Sequence, residues 1–155
     1  MKFQSADTRF SMELADAALT KILETIQQAE DEETGGILLG YYTRSHATAR
    51  VMAVTGPPVD SKKGRSWFYR GMAGLRQLLE ALWPQKVYYL GEWHLHPRAL
   101  PTPSEDDKTE MFTISRTTSY QCPEPILLII GGSVEAYSIR TFVFVNGKVT
   151  ELMLL

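Results

Sequence analysis

Apolar residues in this chain switch repeatedly between helical and extended spacing. Leu14, Ala17, Ala18, Ile22, Ile26 and Ala29 recur at helical intervals, with Leu19 and Leu23 widening the face, so a helix is expected over Leu14–Ala29. The acidic run Glu30-Asp31-Glu32-Glu33 closes it, at an end where the helix dipole disfavours negative charge. A short opening strand is expected at Arg9–Met12. Thr34–Tyr42, with the run Ile37-Leu38-Leu39, suits a buried strand, and Ala49–Thr55 suits its partner across a turn holding an exposed His46. Gly56–Arg65 is a proline- and glycine-rich loop carrying three cations, followed by a short strand at Trp67–Tyr69. Met72, Leu75, Leu78, Leu79 and Leu82 mark an amphipathic helix stopped at Pro84. Lys86–His96 reads as a strand, Ser104–Ser119 as a helix and Ile126–Ile130 as a central strand. Val134–Val145 and Val149–Leu154 meet at Asn146-Gly147, a strong hairpin signal. About three helices and six to eight strands imply a mixed α+β fold with a largely antiparallel sheet.

Composition narrows the picture. At 155 residues the expectation is a single domain over 1–155, with 44% apolar and 22% charged residues matching a globular chain rather than a disordered one. A net charge of −2 argues against a nucleic-acid partner. Cys122 is the lone cysteine, so no internal disulfide can form, which suits a reducing compartment. No apolar run is long enough for a bilayer, and Met1–Asp7 lacks the apolar core of a signal peptide, so a cytoplasmic protein without a membrane partner is expected.

The candidate chemistry lies in Leu90–Asp107. Side chains alternate along a strand, so His94 and His96 face the same way, about 6.5–7 Å apart along the backbone. Two imidazoles so placed can grip one metal ion, whereas a helix would point them apart. Pro97 should end the strand. Ser104 is a good helix N-cap, and Asp107 at the third helical position resembles a capping box. Two imidazoles and one carboxylate would leave a tetrahedral zinc one open position, the catalytic arrangement. Such a site also needs a carboxylate to move protons and a donor near the carbonyl oxygen. Spacing does not say which acidic residue is the base. Glu92, on the same face as the histidines, is open to three readings: a ligand, an acceptor for an imidazole N–H, or charged surface.

These residues resemble a known family. His94-Leu95-His96, then seven residues, Ser104, two more and Asp107, are similar to the signature of JAMM (JAB/MPN) metalloproteases. Glu33-Thr34-Gly35-Gly36-Ile37-Leu38-Leu39-Gly40 resembles that family's upstream glutamate motif. The resemblance covers nearly the whole chain and implies the JAB/MPN-like, cytidine-deaminase-type fold. It also implies that His94, His96 and Asp107 hold Zn2+, that Glu33 is the general acid/base, and that Ser104 donates to the oxyanion. Leu95 replaces the serine or threonine common between the histidines, on the side away from the metal. The insertions that position ubiquitin in eukaryotic relatives have no obvious space here.

Gly91–Pro97 and Tyr120–Pro125 look most like the compact prokaryotic JAB branch, which includes deconjugating peptidases of CBASS antiphage operons. This resemblance implies an isopeptidase that cleaves after the C-terminus of a ubiquitin-like protein or of a CD-NTase conjugated to a target. It also implies E1/E2-like conjugation proteins as its counterparts. The bound tail is expected as an added strand, with the Pro57–Arg65 loop and the segment near Cys122 as walls. Cys122 itself is not expected to be a nucleophile. Two other readings stand beside this one: a non-catalytic MPN scaffold, and a JAB hydrolase acting on a sulfur-carrier or small amide substrate.

Overall fold

The computed structural model describes residues 1–43 and 45–155. Strands β1 (Lys2–Ser5) and β2 (Ser11–Leu14) lead into helix α1 (Asp16–Gln27). Next come β3 (Thr34–Tyr42) and β4 (Thr48–Val54), then the short strands β5 (Lys62–Lys63) and β6 (Phe68–Tyr69). Helix α2 (Leu75–Leu82) precedes β7 (Tyr88–Pro97) and α3 (Glu105–Arg116), and β8 (Ile126–Gly132), β9 (Tyr137–Val145) and β10 (Lys148–Leu154) complete the order. The expected mixed α+β class and largely antiparallel sheet are present, with three α-helices among the described residues.

The sheet goes one step further than expected and closes on itself, in the order β1-β10-β9-β8-β7-β3-β4-β2. Among the described residues, only β2–β4 and β7–β8 pair in parallel. Closure depends on β1, which pairs with both β2 and β10 and was not expected from its weakly apolar sequence. The opening strand runs to Leu14, which sits in register with Val51 of β4 rather than in the helix. Helix α1 therefore starts later and ends earlier than its periodicity suggests. Glu30 and Asp31 adopt left-handed backbone, with φ of 49° and 64°, so the acidic run is a turn beyond the helix and not its last turn.

Two apolar clusters lie on opposite faces of this sheet. One joins Leu38, Leu90, Trp93, Leu95 and Leu128 to Ala18, Ile22 and Ile26 of α1. The other joins Ile37, Leu39, Tyr89, Leu127 and Ile129 to Leu75 of α2 and to Met111 and Ile114 of α3. Near its start β7 carries an irregularity: Leu38 pairs with Gly91 but Leu39 with Tyr89, skipping Leu90. Gly91 sits there at φ 146°, where a Cβ would collide with the backbone of Ile126. The extra residue resets the alternation, putting Tyr89, Glu92, His94 and His96 on the α2–α3 side and Leu90, Trp93 and Leu95 on the α1 side.

Candidate metal centre

His94 and His96 emerge from the end of β7, flanked by β3 on one side and β8 on the other. Both are buried, at 1% and 8% exposure, and share one face as the strand period requires. Gly35 lies opposite His94 in the β3–β7 ladder. A Cβ there would meet the Trp93 carbonyl and would lie 2.9 Å from His94 Cδ2, so only glycine leaves room for the ring. Phe68 of the β5–β6 hairpin closes over His94 edge-on, at 5.6 Å between ring centroids.

The third donor arrives on α3. Ser104 caps this helix: its Oγ accepts from the Asp107 N–H at 3.0 Å, and its own N–H donates to Asp107 Oδ2 at 2.8 Å. This reciprocal box satisfies two backbone donors and fixes the Asp107 side chain. That carboxylate then reaches both histidines, with Oδ1 3.1 Å from His94 Nδ1 and Oδ2 3.4 Å from His96 Nε2. Structural cap and chemical candidate are thus the same pair of residues. In the cap, the Ser104 hydroxyl serves as acceptor, which leaves its O–H proton free to donate elsewhere.

Glu33 lies one residue before Thr34, the position paired with Leu95, and so comes level with His96. Its N–H donates to the Gly64 carbonyl at 2.8 Å, which fastens it to the hairpin turn. Burial raises the pKa of the Glu33 carboxyl, Asp107 adds to that rise, and the two imidazoles oppose it. Burial would also raise Asp107, but hydrogen bonds from His94 and His96 outweigh it and hold that carboxyl well below the usual range. For His94 burial works against the charge, and the contact with Asp107 overcomes it, raising the pKa.

Among the described residues, one group of three His, Cys, Asp or Glu side chains could hold a metal ion: His94, His96 and Asp107, with donor atoms all within 4.8 Å of one another. The fit to zinc is chemical. Two imidazoles and a carboxylate are donors zinc accepts, and three protein ligands leave a position open. His94 Nε2 is moreover buried with no hydrogen-bond partner among the described residues, a costly state for a polar atom unless something binds there.

Residues 15–145 match the family described as prokaryotic homologs of the JAB domain. The chain belongs to the prokaryotic JAB family. Among curated relatives, a protein of Enterobacter hormaechei named CD-NTase/cGAS isopeptidase is 38% identical over 146 residues, covering 94% of this chain and 81% of that protein. A Pseudomonas aeruginosa protein of the same name is 28% identical and covers 88% of this chain and 89% of its own. A probable metalloprotease of Sinorhizobium fredii is 22% identical, over 92% of this chain and 87% of its own. The solution structure of protein DSY2949 from Desulfitobacterium hafniense superposes with a TM-score of 0.66 at 21% identity, over 93% of this chain and 91% of that one, which shows a shared fold.

Other sequence candidates fall elsewhere in the JAB domain. Glu92 is buried but hydrogen-bonds to no imidazole: its oxygens take Arg70 Nε at 2.7 Å and the Tyr89 hydroxyl at 2.6 Å. Cys122 is buried, its thiol pushed up to about 12 by burial, which suits an inert side chain. Its neighbours Ser119–Gln121 line a concavity of about 1010 Å³ beside α2, with Tyr42, Trp83 and Tyr88, away from the three donors. His46 is exposed and stacks on Tyr42 at 5.7 Å. Arg70 and Phe68 were not foreseen as neighbours of the site. Both follow an exposed, cationic run whose composition signals only a solvated loop.

Proposed function

We propose that this protein is a zinc-dependent JAMM-type isopeptidase that separates a CD-NTase or ubiquitin-like C-terminal tail from the protein to which it is conjugated. The convergence of His94, His96 and Asp107, with Glu33 level with His96, carries this reading. The relatives named CD-NTase/cGAS isopeptidase supply the substrate class. In this reading residues 1–155 act as one catalytic domain in the cytoplasm, within CBASS antiviral defence, and undo the work of E1/E2-like conjugating proteins. No helix among the described residues is long and apolar enough to cross a membrane.

Zinc held by the three donors would bring the pKa of a water to about 7 and polarise the scissile carbonyl. The remaining work falls to the chain. Glu33 accepts the proton of the attacking water at its carboxylate and delivers it to the leaving amine nitrogen; its raised pKa suits a group that must both take and give. Ser104 turns its free O–H toward the carbonyl oxygen as negative charge develops there. The β5–β6 hairpin, a two-stranded sheet separate from the main one, offers strand edges for an extended tail. Lys62 and Lys63 form β5 itself, and the exposed Arg65 lies in the turn that follows.

The test is a reporter fused behind a CD-NTase C-terminal tail. Cleavage at the junction, lost with chelator and restored by one equivalent of zinc, is expected; cleavage indifferent to chelation contradicts the reading.

A further inference from the structure

The chain between β4 and α2 is almost wholly solvated. No residue from Val59 to Tyr69 is buried, and Arg70 is the first buried side chain after this excursion, at 4% exposure. Asp60 and Ser61 close the base of the excursion by accepting from the N–H groups of Gly71, Met72 and Ala73, but these bonds tie the loop to its own exit. Among the described residues, three polar links join it to the rest of the domain. Two are slight: the Glu33 N–H to the Gly64 carbonyl, and an exposed Lys63–Glu32 ion pair at 3.5 Å. The third is Arg70.

Its guanidinium is used on every side. Nε donates to Glu92 at 2.7 Å, Nη1 to the Gly71 carbonyl at 2.9 Å and Nη2 to the Tyr120 hydroxyl at 2.8 Å. Glu92 stands two residues before His94, on the same face of β7. One buried side chain therefore connects the end of the hairpin to the strand that presents the histidines, and to the turn after α3. A planar fork with fixed donor directions can hold such a three-way junction in one orientation, as a lysine cannot.

We infer that Arg70 is a positioning residue: through Glu92 it sets the β5–β6 hairpin against the strand bearing His94 and His96 and so shapes the wall that receives the substrate tail. This rests on the isopeptidase reading for its consequence in catalysis, but not for its consequence in the fold.

The test compares the full chain with the pair variant Arg70→Met/Glu92→Gln. Removing Arg70 alone leaves Glu92 buried without its counter-charge and risks unfolding, whereas the pair removes both charges and keeps an acceptor for Tyr89. Hydrogen exchange over 61–69 is expected to speed up by about tenfold or more while β7 and β8 keep their protection and zinc stoichiometry is unchanged. On the tail-fused reporter, KM is expected to rise about tenfold with kcat within about threefold. Arg70→Lys should fall between. Unchanged exchange in the hairpin, loss of protection in β7 together with the hairpin, or an unchanged KM despite a loosened hairpin would each overturn the inference. If the wild-type protein cleaves no tail fusion, the isopeptidase reading falls, and the exchange measurement still decides whether Arg70 positions the hairpin.

Discussion

At the junction of β7 and α3 each donor is buried and held by its neighbours. The β5–β6 hairpin beside it has two residues per strand, lies almost entirely in solvent, and touches the barrel at few points. His94 and His96 stand on a strand paired along both edges, and Asp107 is locked by a capping box. Under the proposed function the contrast becomes a division of labour. A metal centre requires fixed donors, because small displacements weaken every bond, so it belongs on regular elements. A wall that receives a variable tail gains from adjustment, so it belongs on a short hairpin with one deep anchor.

Breaking the rigid half should have the largest effect. His96→Ala removes a donor, and bound zinc measured by elemental analysis should fall from one equivalent to near zero, together with cleavage. Retention of stoichiometric zinc would remove His96 from the donor set.

Ser104 separates the two roles that coincide at the start of α3. Ser104→Ala should cost about 1 kcal/mol of stability, while Ser104→Gly costs only a few tenths, since glycine is tolerated at an N-cap. Both lose the hydroxyl, and both should lower kcat by about 10²–10³-fold if that group meets the developing oxyanion. Equal kcat losses with unequal stabilities, read from steady-state kinetics and thermal unfolding, support the dual role. Activity that tracks stability reduces Ser104 to a cap.

The smallest effect belongs to the hairpin surface. Trp67 is 51% exposed, so Trp67→Ser should change stability by less than about 0.5 kcal/mol. If it contacts the tail, kcat/KM should fall by about tenfold, mainly through KM. A fall in kcat alone would place the hairpin in the chemistry rather than in binding.

The rigid half was also the more legible half in the sequence. Two histidines two apart on a strand, and a serine and an aspartate in capping register, are local patterns, and local patterns survive folding; Glu33 stands in a run of four acidic residues and is singled out only by the family resemblance. Leu14 shows where periodicity misleads: it continues the helical stripe of α1, yet its register with Val51 draws it into β2. Strand β1 was invisible because Lys2, Gln4 and Ser5 give it little apolar signal, and its place depends on partners at the far end of the chain. Glu92 and Arg70 are charged residues whose burial is set by each other, 22 positions apart, which no local pattern records. Closure of the sheet is likewise a property of the whole ladder.

The central claim is that Glu33 moves the proton while three other side chains hold the metal. Glu33→Ala, compared with wild type at equal zinc loading on the tail-fused reporter, tests it most directly. One equivalent of zinc retained with cleavage lowered by about 10²–10⁴-fold is the predicted result. A variant that keeps its zinc and cleaves at the wild-type rate would contradict it.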